Sequence, residues 1–186
     1  DRPTVLFMGE IGERKGAWDL LEAITRLAPR FPKACFRFGG NGEIERLRSE
    51  IDDRGLRDSV EILGWVSGEE KLRHFRESDL LCLPSYHEGL PMSILEAMAS
   101  GLPVVSTKIA GIPEAVTQDE TGLLVEPGNV DALTHALEQL IQSRSLREEM
   151  GRAARDRAER VFDAEVIGSQ VHALWSEVLD EHGSRT

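Results

Sequence analysis

The residues best able to do chemistry in this sequence are two carboxylates and a lysine. Glu88 and Glu96 stand with seven residues between them in the run SYHEGLPMSILEAMASG, Ser85 to Gly101. Pro91 has no amide proton to lose and suits the first position of a helix. The residues after it are apolar nearly all round, with only Ser93 and Glu96 polar before Ser100. That pattern predicts a buried helix beginning near Leu90. Glu96 then falls about a turn and a half into it, where a buried carboxylate needs a partner. Two adjacent sugar hydroxyls are one such partner, because each can donate to one carboxylate. A neighbouring arginine is the other. Glu88 lies just ahead of the helix, at the mouth of a site or as an exposed loop carboxylate. Between the two, the free amides of the first turn and the Ser93 hydroxyl can hold phosphate oxygens.

The lysine belongs to GEIGERKG, Gly9 to Gly16, which follows an apolar run and leads into a helix. Arg14 and Lys15 fall at that helix's N-terminus, where backbone N–H groups and the dipole favour an anion. A solvated turn with a surface Arg and Lys is the alternative. The segment is neither the dinucleotide fingerprint nor a P-loop, since it lacks G-x-G-x-x-G and G-K-[ST].

The elements that must position these residues alternate regularly. Thr4–Met8, 34–38, Val60–Gly64 less its last residue, 79–83, 103–106 and Gly122–Val125 are apolar runs of strand length. They lack polar alternation, as expected of parallel strands buried on both faces. Helical spacing recurs between them: from Ala17 to Ala28, over 43–53, over 69–77 and over 91–100. Such alternation implies a Rossmann-like, doubly wound parallel sheet of about six strands. In such sheets ligands bind beyond the carboxyl ends of the strands, where both candidate segments lie. All eight prolines occur at or before Pro127, and only three of seventeen glycines follow Gly128. The remainder therefore reads as a helical C-terminal extension. Its three apolar stripes run Leu133 to Ile141, Leu146 to Val161 and Ile167 to Val178. The domain plan is a core over 1–128, helices packed on the same domain over 129–180, and a frayed tail over 181–186.

Net charge is −11, which argues against a nucleic-acid surface or broad attraction to anionic lipid. Cys35 and Cys82 are too few for a disulfide framework, are wrongly spaced for zinc, and read as reduced core thiols. No apolar run reaches the ~18 residues of a membrane span, and no signal peptide opens the sequence. His87 reads as a loop histidine, Glu114 as a first-turn helix charge, and Trp18 and Trp175 as packing residues.

The setting PSYHEGLPMSILEAMASGLPVVS resembles the signature of the retaining GT-B glycosyltransferases, group 1 or glycogen-synthase-like. The opening G-x-x-x-x-R-K-G, then GGNGE, LGWVSGEE and AGIPEAVTQDETGLLVEPGN, follow in that family's order and spacing. The resemblance covers nearly the whole chain and implies the donor-binding, C-terminal half of such an enzyme. An N-terminal domain of the same protein would be its partner, and a glycan or lipid-linked molecule its acceptor. Lys15, with Arg14 beside it in the loop of Gly12, would contact the diphosphate of a nucleotide-sugar donor. Glu96 would hold the ribose hydroxyls, and Glu88 would lie beside the donor sugar. The amides of Gly89 and Leu90, with Ser93, would touch phosphate or sugar. Trp65 and Val66 would lie against the base through backbone groups, and Gly39 and Gly40 would keep the loop beside the nucleotide slim. The resemblance implies no metal and no cofactor beyond the donor, and a cytoplasmic protein whose membrane contacts, if any, are made outside this domain.

One position departs from the family. An arginine commonly follows the first-strand glycine, and here it is Glu10. A carboxylate there repels phosphate by roughly 1 kcal/mol unless Arg14 compensates or Glu10 points away. The departure motivates one alternative, a non-catalytic nucleotide-binding module descended from a transferase. A sugar-nucleotide epimerase is another. A phosphorylase would need a pyridoxal lysine site, which the sequence does not display.

Overall fold

A computed structural model describes the backbone of residues 2–183, and side chains through 173 and at Trp175. Six strands form one parallel sheet: β1 (Thr4–Met8), β2 (Cys35–Gly39), β3 (Val60–Gly64), β4 (Leu80–Leu83), β5 (Val104–Thr107) and β6 (Gly122–Val125). Their spatial order is β3-β2-β1-β4-β5-β6. The chain starts at the centre, builds outward to β3, and returns to lay β4 beside β1. Register pairs Val5 with Phe36 on one side and with Leu80 on the other.

Among the described residues eight α-helices accompany the sheet: α1 (Ala17–Leu27), α2 (Ile44–Asp53), α3 (Gly68–Arg76), α4 (Met92–Ala99), α5 (Ile112–Ala115), α6 (Val130–Gln142), α7 (Arg144–Val161) and α8 (Ala164–Gly183). Right-handed crossovers put α1 and α4 on opposite faces, because β1 and β4 wind outward in opposite directions. α6 covers α1, tied by Arg26–Asp131 at 2.6 Å and by Arg30–Glu138. α7 covers α4, so closely that a Cβ at Gly151 would meet the Gly101 carbonyl at 2.1 Å. The core comprises the strand side chains and the inner faces of these helices, with Phe7, Phe36, Phe38 and Phe75 fully buried. Both cysteines are buried and free, and burial pushes the Cys82 thiol up.

Several expectations are corrected. β3 is an edge strand, half-exposed with Glu61 open to solvent, and is not buried on both faces. Arg14 and Lys15 precede α1 at its N-terminus, as expected, but not in a simple turn. They occupy a separate 3-10 turn, Glu13–Lys15, because Gly16 adopts a left-handed conformation (φ 69°) before α1 starts. Pro91 is the N-cap of α4 and not its first helical residue. In the extension, α6 buries its apolar stripe and α7 buries Met150, Ala154 and Ala158 of its own, but Val161 at the end of α7 and Ile167, Val171 and Trp175 of α8 are exposed. Trp175, 63% exposed, is therefore no packing residue among the described residues. The Leu174 and Val178 side chains and residues 184–186 of the expected tail lie outside the described residues.

Candidate functional site

The winding reverses between β1 and β4, and a crevice opens beyond their carboxyl ends. A cleft of about 260 Å³ there is walled by Gly9, Glu10, Arg14 and Lys15 after β1, Gly39 and Gly40 at the end of β2, and Trp65 and Val66 after β3. Lys71 of α3 and Pro91, Met92 and Ser93 at the start of α4 complete it.

Glu88 stands behind this wall. Lys15 Nζ donates to its Oε1 at 2.5 Å, and Ser85 Oγ donates to the same oxygen at 2.7 Å. The two charged side chains are only 15% and 6% exposed, so Glu88 is not an exposed loop carboxylate. The loop carrying it is fixed from several directions. Thr107 Oγ1 donates to the Ser85 carbonyl at 2.6 Å, and the Tyr86 amide donates to the Arg14 carbonyl at 2.9 Å. The Gly111 amide donates to the Gly89 carbonyl at 3.0 Å, next to Ala110 at φ 44°. Among the described residues the Gly89 and Leu90 amides have no acceptor. The Met92 and Ser93 amides open α4, where a helix has no internal acceptors to offer.

Glu96 occupies a different setting from the one its sequence context predicts. α4 buries Ile94, Ala97 and Met98 but exposes Met92 and Ala99, because α7 covers only one side and the first turn faces the crevice. The Glu96 side chain is 30% exposed, and its partner is a lysine, not an arginine. Lys71 Nζ donates to Oε1 at 2.8 Å and lies 2.6 Å from Oε2.

Arg14 turns to Glu10, 2.9 Å away across one turn, with both side chains about half exposed. Of the three outcomes open to Glu10, the structure takes compensation. Gly40 sits at φ 144°, and a Cβ on it would lie 1.8 Å from the Gly9 carbonyl. The glycine is thus required by the neighbouring loop itself. Trp65 is 71% exposed along the rim, so its indole as well as its backbone is available. Gly12 lies outside the cleft walls and faces Glu43. Gly89 and Leu90 also lie outside them, and Glu88 and Glu96 reach the cleft only through the lysines that line it.

A larger cleft of about 700 Å³ adjoins on the far side of Arg14, lined by Trp18, Arg46, Tyr86 and His87 among others. Its groups are engaged with one another: Tyr86 Oη donates to Asp19 at 2.8 Å, and the Arg46 guanidinium lies 4.2 Å from the Trp18 ring centroid. His87 is an exposed loop residue there. Sequence reasoning missed Lys71, Ser85 and Thr107. Ser85 opens the informative run and Thr107 ends a strand, so only their contacts reveal them. Lys71 sits in an ordinary charged helix and carries no signal. Among the described residues, no group of three His, Cys, Asp or Glu side chains is placed to hold a metal, and no helix is long and apolar enough to cross a membrane.

The fold and crevice define a Rossmann-like α/β domain with its candidate site at the switch point of the sheet. Residues 1–157 match the family model described as glycosyl transferases group 1, and the chain belongs to that family. It is 31% identical over 182 residues to alpha-D-kanosaminyltransferase of Streptomyces kanamyceticus, covering 96% of this chain and 46% of that protein. It is likewise 31% identical to the sulfoquinovosyl transferase SQD2 of Arabidopsis thaliana, covering 86% of this chain and 31% of that protein. The chain thus spans less than half the length of these relatives. Among solved structures, sucrose-phosphate synthase from Thermosynechococcus elongatus superposes with a TM-score of 0.85 at 26% identity, over 97% of this chain and 46% of that one. HepE of Anabaena, solved with UDP, shares the fold at a TM-score of 0.84 and 24% identity, over 94% of this chain and 48% of that one.

Proposed function

We propose that this domain binds the nucleoside diphosphate of a nucleotide-sugar donor and forms one half of a retaining GT-B glycosyltransferase. The observation that carries the reading is the pair of lysine-held carboxylates, Lys15–Glu88 and Lys71–Glu96, flanking the amide-rich start of α4. In this reading the diphosphate lies on Lys15, the Gly89 and Leu90 amides and the first turn of α4. The ribose hydroxyls reach Glu96, and the base lies along Trp65 and Val66. The binding of UDP by HepE is in keeping with such a donor. The acceptor, a glycan or lipid-linked hydroxyl, would be presented by an N-terminal domain, and the domain by itself would bind nucleotide weakly and transfer nothing.

The acceptor hydroxyl bonds to the anomeric carbon on the face from which the diphosphate departs. The carbon–oxygen bond to the diphosphate breaks, and the hydroxyl proton passes to a departing phosphate oxygen. Lys15 and the α4 amides stabilise the charge that grows on that leaving group, which is where preorganised donors help most. Glu88, beside the sugar, responds to the positive charge developing at the anomeric carbon. No metal is needed. The non-catalytic alternative rested on the repulsion expected from Glu10, and the Arg14–Glu10 pair weakens that argument.

The test measures nucleotide binding and sugar transfer on the full-length protein. Lys15→Ala should lower both affinity and turnover. Glu88→Gln should leave nucleotide affinity nearly intact while lowering turnover about tenfold or more. Full transfer by Glu88→Gln would overturn the role given to that carboxylate, and nucleotide binding with no transfer by the wild type would favour the non-catalytic module.

A further inference from the structure

We propose that Lys71 is a positioning residue of the donor site, orienting the Glu96 carboxylate so that one oxygen faces the vicinal diol of a ribonucleoside. The proposal rests on the reading of Glu96 as the diol ligand.

Lys71 lies one turn into α3, and its ammonium crosses to α4, 25 residues further along the chain. The stem passes near Phe75, with Nζ 5.9 Å from the ring centroid, which limits where the cation can go. Its hydrogen bond goes to Oε1, and the buried Oε2 accepts no hydrogen bond of good geometry. Nζ also lies 2.6 Å from Oε2, so the cation spans the carboxylate and fixes its plane, while the ionised carboxylate keeps lone pairs for further donors such as a hydroxyl pair.

Stability does not explain this pair. The Lys71 and Glu96 side chains keep 27% and 30% of their surface, so water partly screens the pair and its contribution to stability is small. Lys71 is itself a wall of the cleft and Glu96 stands behind it, so the pair borders the ligand space. An unpaired Glu96 would add a negative charge near the proposed diphosphate, in a chain already at −11. Lys71 cancels that charge and leaves the diol-binding oxygen in place.

The experiment is a calorimetric binding cycle on the full-length protein. Its probes are the tightest binder among UDP, GDP and ADP, the matching 2′-deoxynucleoside diphosphate, and pyrophosphate. The variants are Lys71→Met, Lys71→Arg, Glu96→Gln and the double variant Lys71→Met with Glu96→Gln. Lys71→Met should weaken the ribonucleotide about tenfold and leave pyrophosphate within about twofold. Lys71→Arg, which restores the cation, should recover most of the loss. In the Glu96→Gln background, Lys71→Met should cost nothing further, because a residue acting only through another gives a non-additive cycle. Additive losses, or an equal loss for pyrophosphate, would mean that Lys71 meets phosphate directly and would overturn the proposal. A Glu96→Gln variant that treats ribo- and deoxyribonucleotide as the wild type does removes both the diol reading and this proposal. A loss for Glu96→Gln with none for Lys71→Met removes the proposal alone.

Discussion

At the scale of single residues, the cleft is organised by where each charge finds its partner. Glu10 stands where the family resemblance leads one to expect arginine, yet its charge is met by Arg14 at 2.9 Å, and both side chains line the same cleft. The pair holds a guanidinium at the site and keeps it occupied. Glu10→Gln should release Arg14 toward a bound diphosphate and remove one repelling charge. Affinity for the tightest-binding nucleoside diphosphate should rise about two- to fivefold at low salt, a gain that shrinks as ionic strength rises. Titrations at low and high salt check this, and an unchanged affinity at low salt would mean that Arg14 does not reach the ligand. Glu10 was visible in the sequence as an anomaly. Its resolution was not, because Arg14 reaches back to Glu10 only where the loop folds over on itself, with Gly12 extended and the 3-10 turn beginning at Glu13.

At the scale of elements, the site depends on how closely the ends of β1 and β2 approach. The Gly40 amide donates to the Gly64 carbonyl at 2.7 Å, and the Gly9 carbonyl occupies the space a Gly40 side chain would need. Gly40→Ala must therefore push the two loops apart as well as force an alanine to φ 144°. Gly55 is a matched control: it also has a positive φ, 66°, but nothing stands within 4 Å of its Cβ position. Urea denaturation should show Gly55→Ala losing about 1 kcal/mol from backbone strain alone, and Gly40→Ala losing more than about 2 kcal/mol. Equal losses would show that the loops yield freely. The strands and most helices were legible beforehand, since their apolar runs and spacing reflect burial directly. The 3-10 turn at Glu13–Lys15 was not, because Gly16 looks like any helix-leading glycine until its backbone conformation is known.

At the scale of the whole molecule, Tyr86 joins three parts of the chain. It belongs to the loop after β4, its hydroxyl donates to Asp19 on α1, and it packs against Gly128 just before the C-terminal helices. Burial, and then the Asp19 carboxylate, push its phenol up to about 12. The folded state thus keeps a proton that the unfolded chain loses near pH 10. The stability this contributes is fully present below about pH 10 and is lost as pH rises through about 12. Tyr86 is the chain's single tyrosine, so phenolate absorbance reports it directly. Its midpoint should lie near 12 in the folded protein, and Tyr86→Phe should flatten the decline in stability between pH 10 and 12. A midpoint near 10 would show the phenol to be free.

The sequence by itself determined the parallel sheet, the order of its elements, the family, and the segments that gather at the crevice. It could do so because burial periodicity and glycine-bearing turns are local properties of the chain. Only the tertiary structure decided which charges meet. Lys15 and Glu88 are 73 residues apart, and Lys71 and Glu96 are 25. A lysine on an exposed helix looks the same whether it faces water or a carboxylate, since its partner is chosen by how two elements pack and not by its neighbours in sequence. For the same reason α8 carries an apolar stripe that reads as core, while Ile167, Val171 and Trp175 on it are exposed among the described residues.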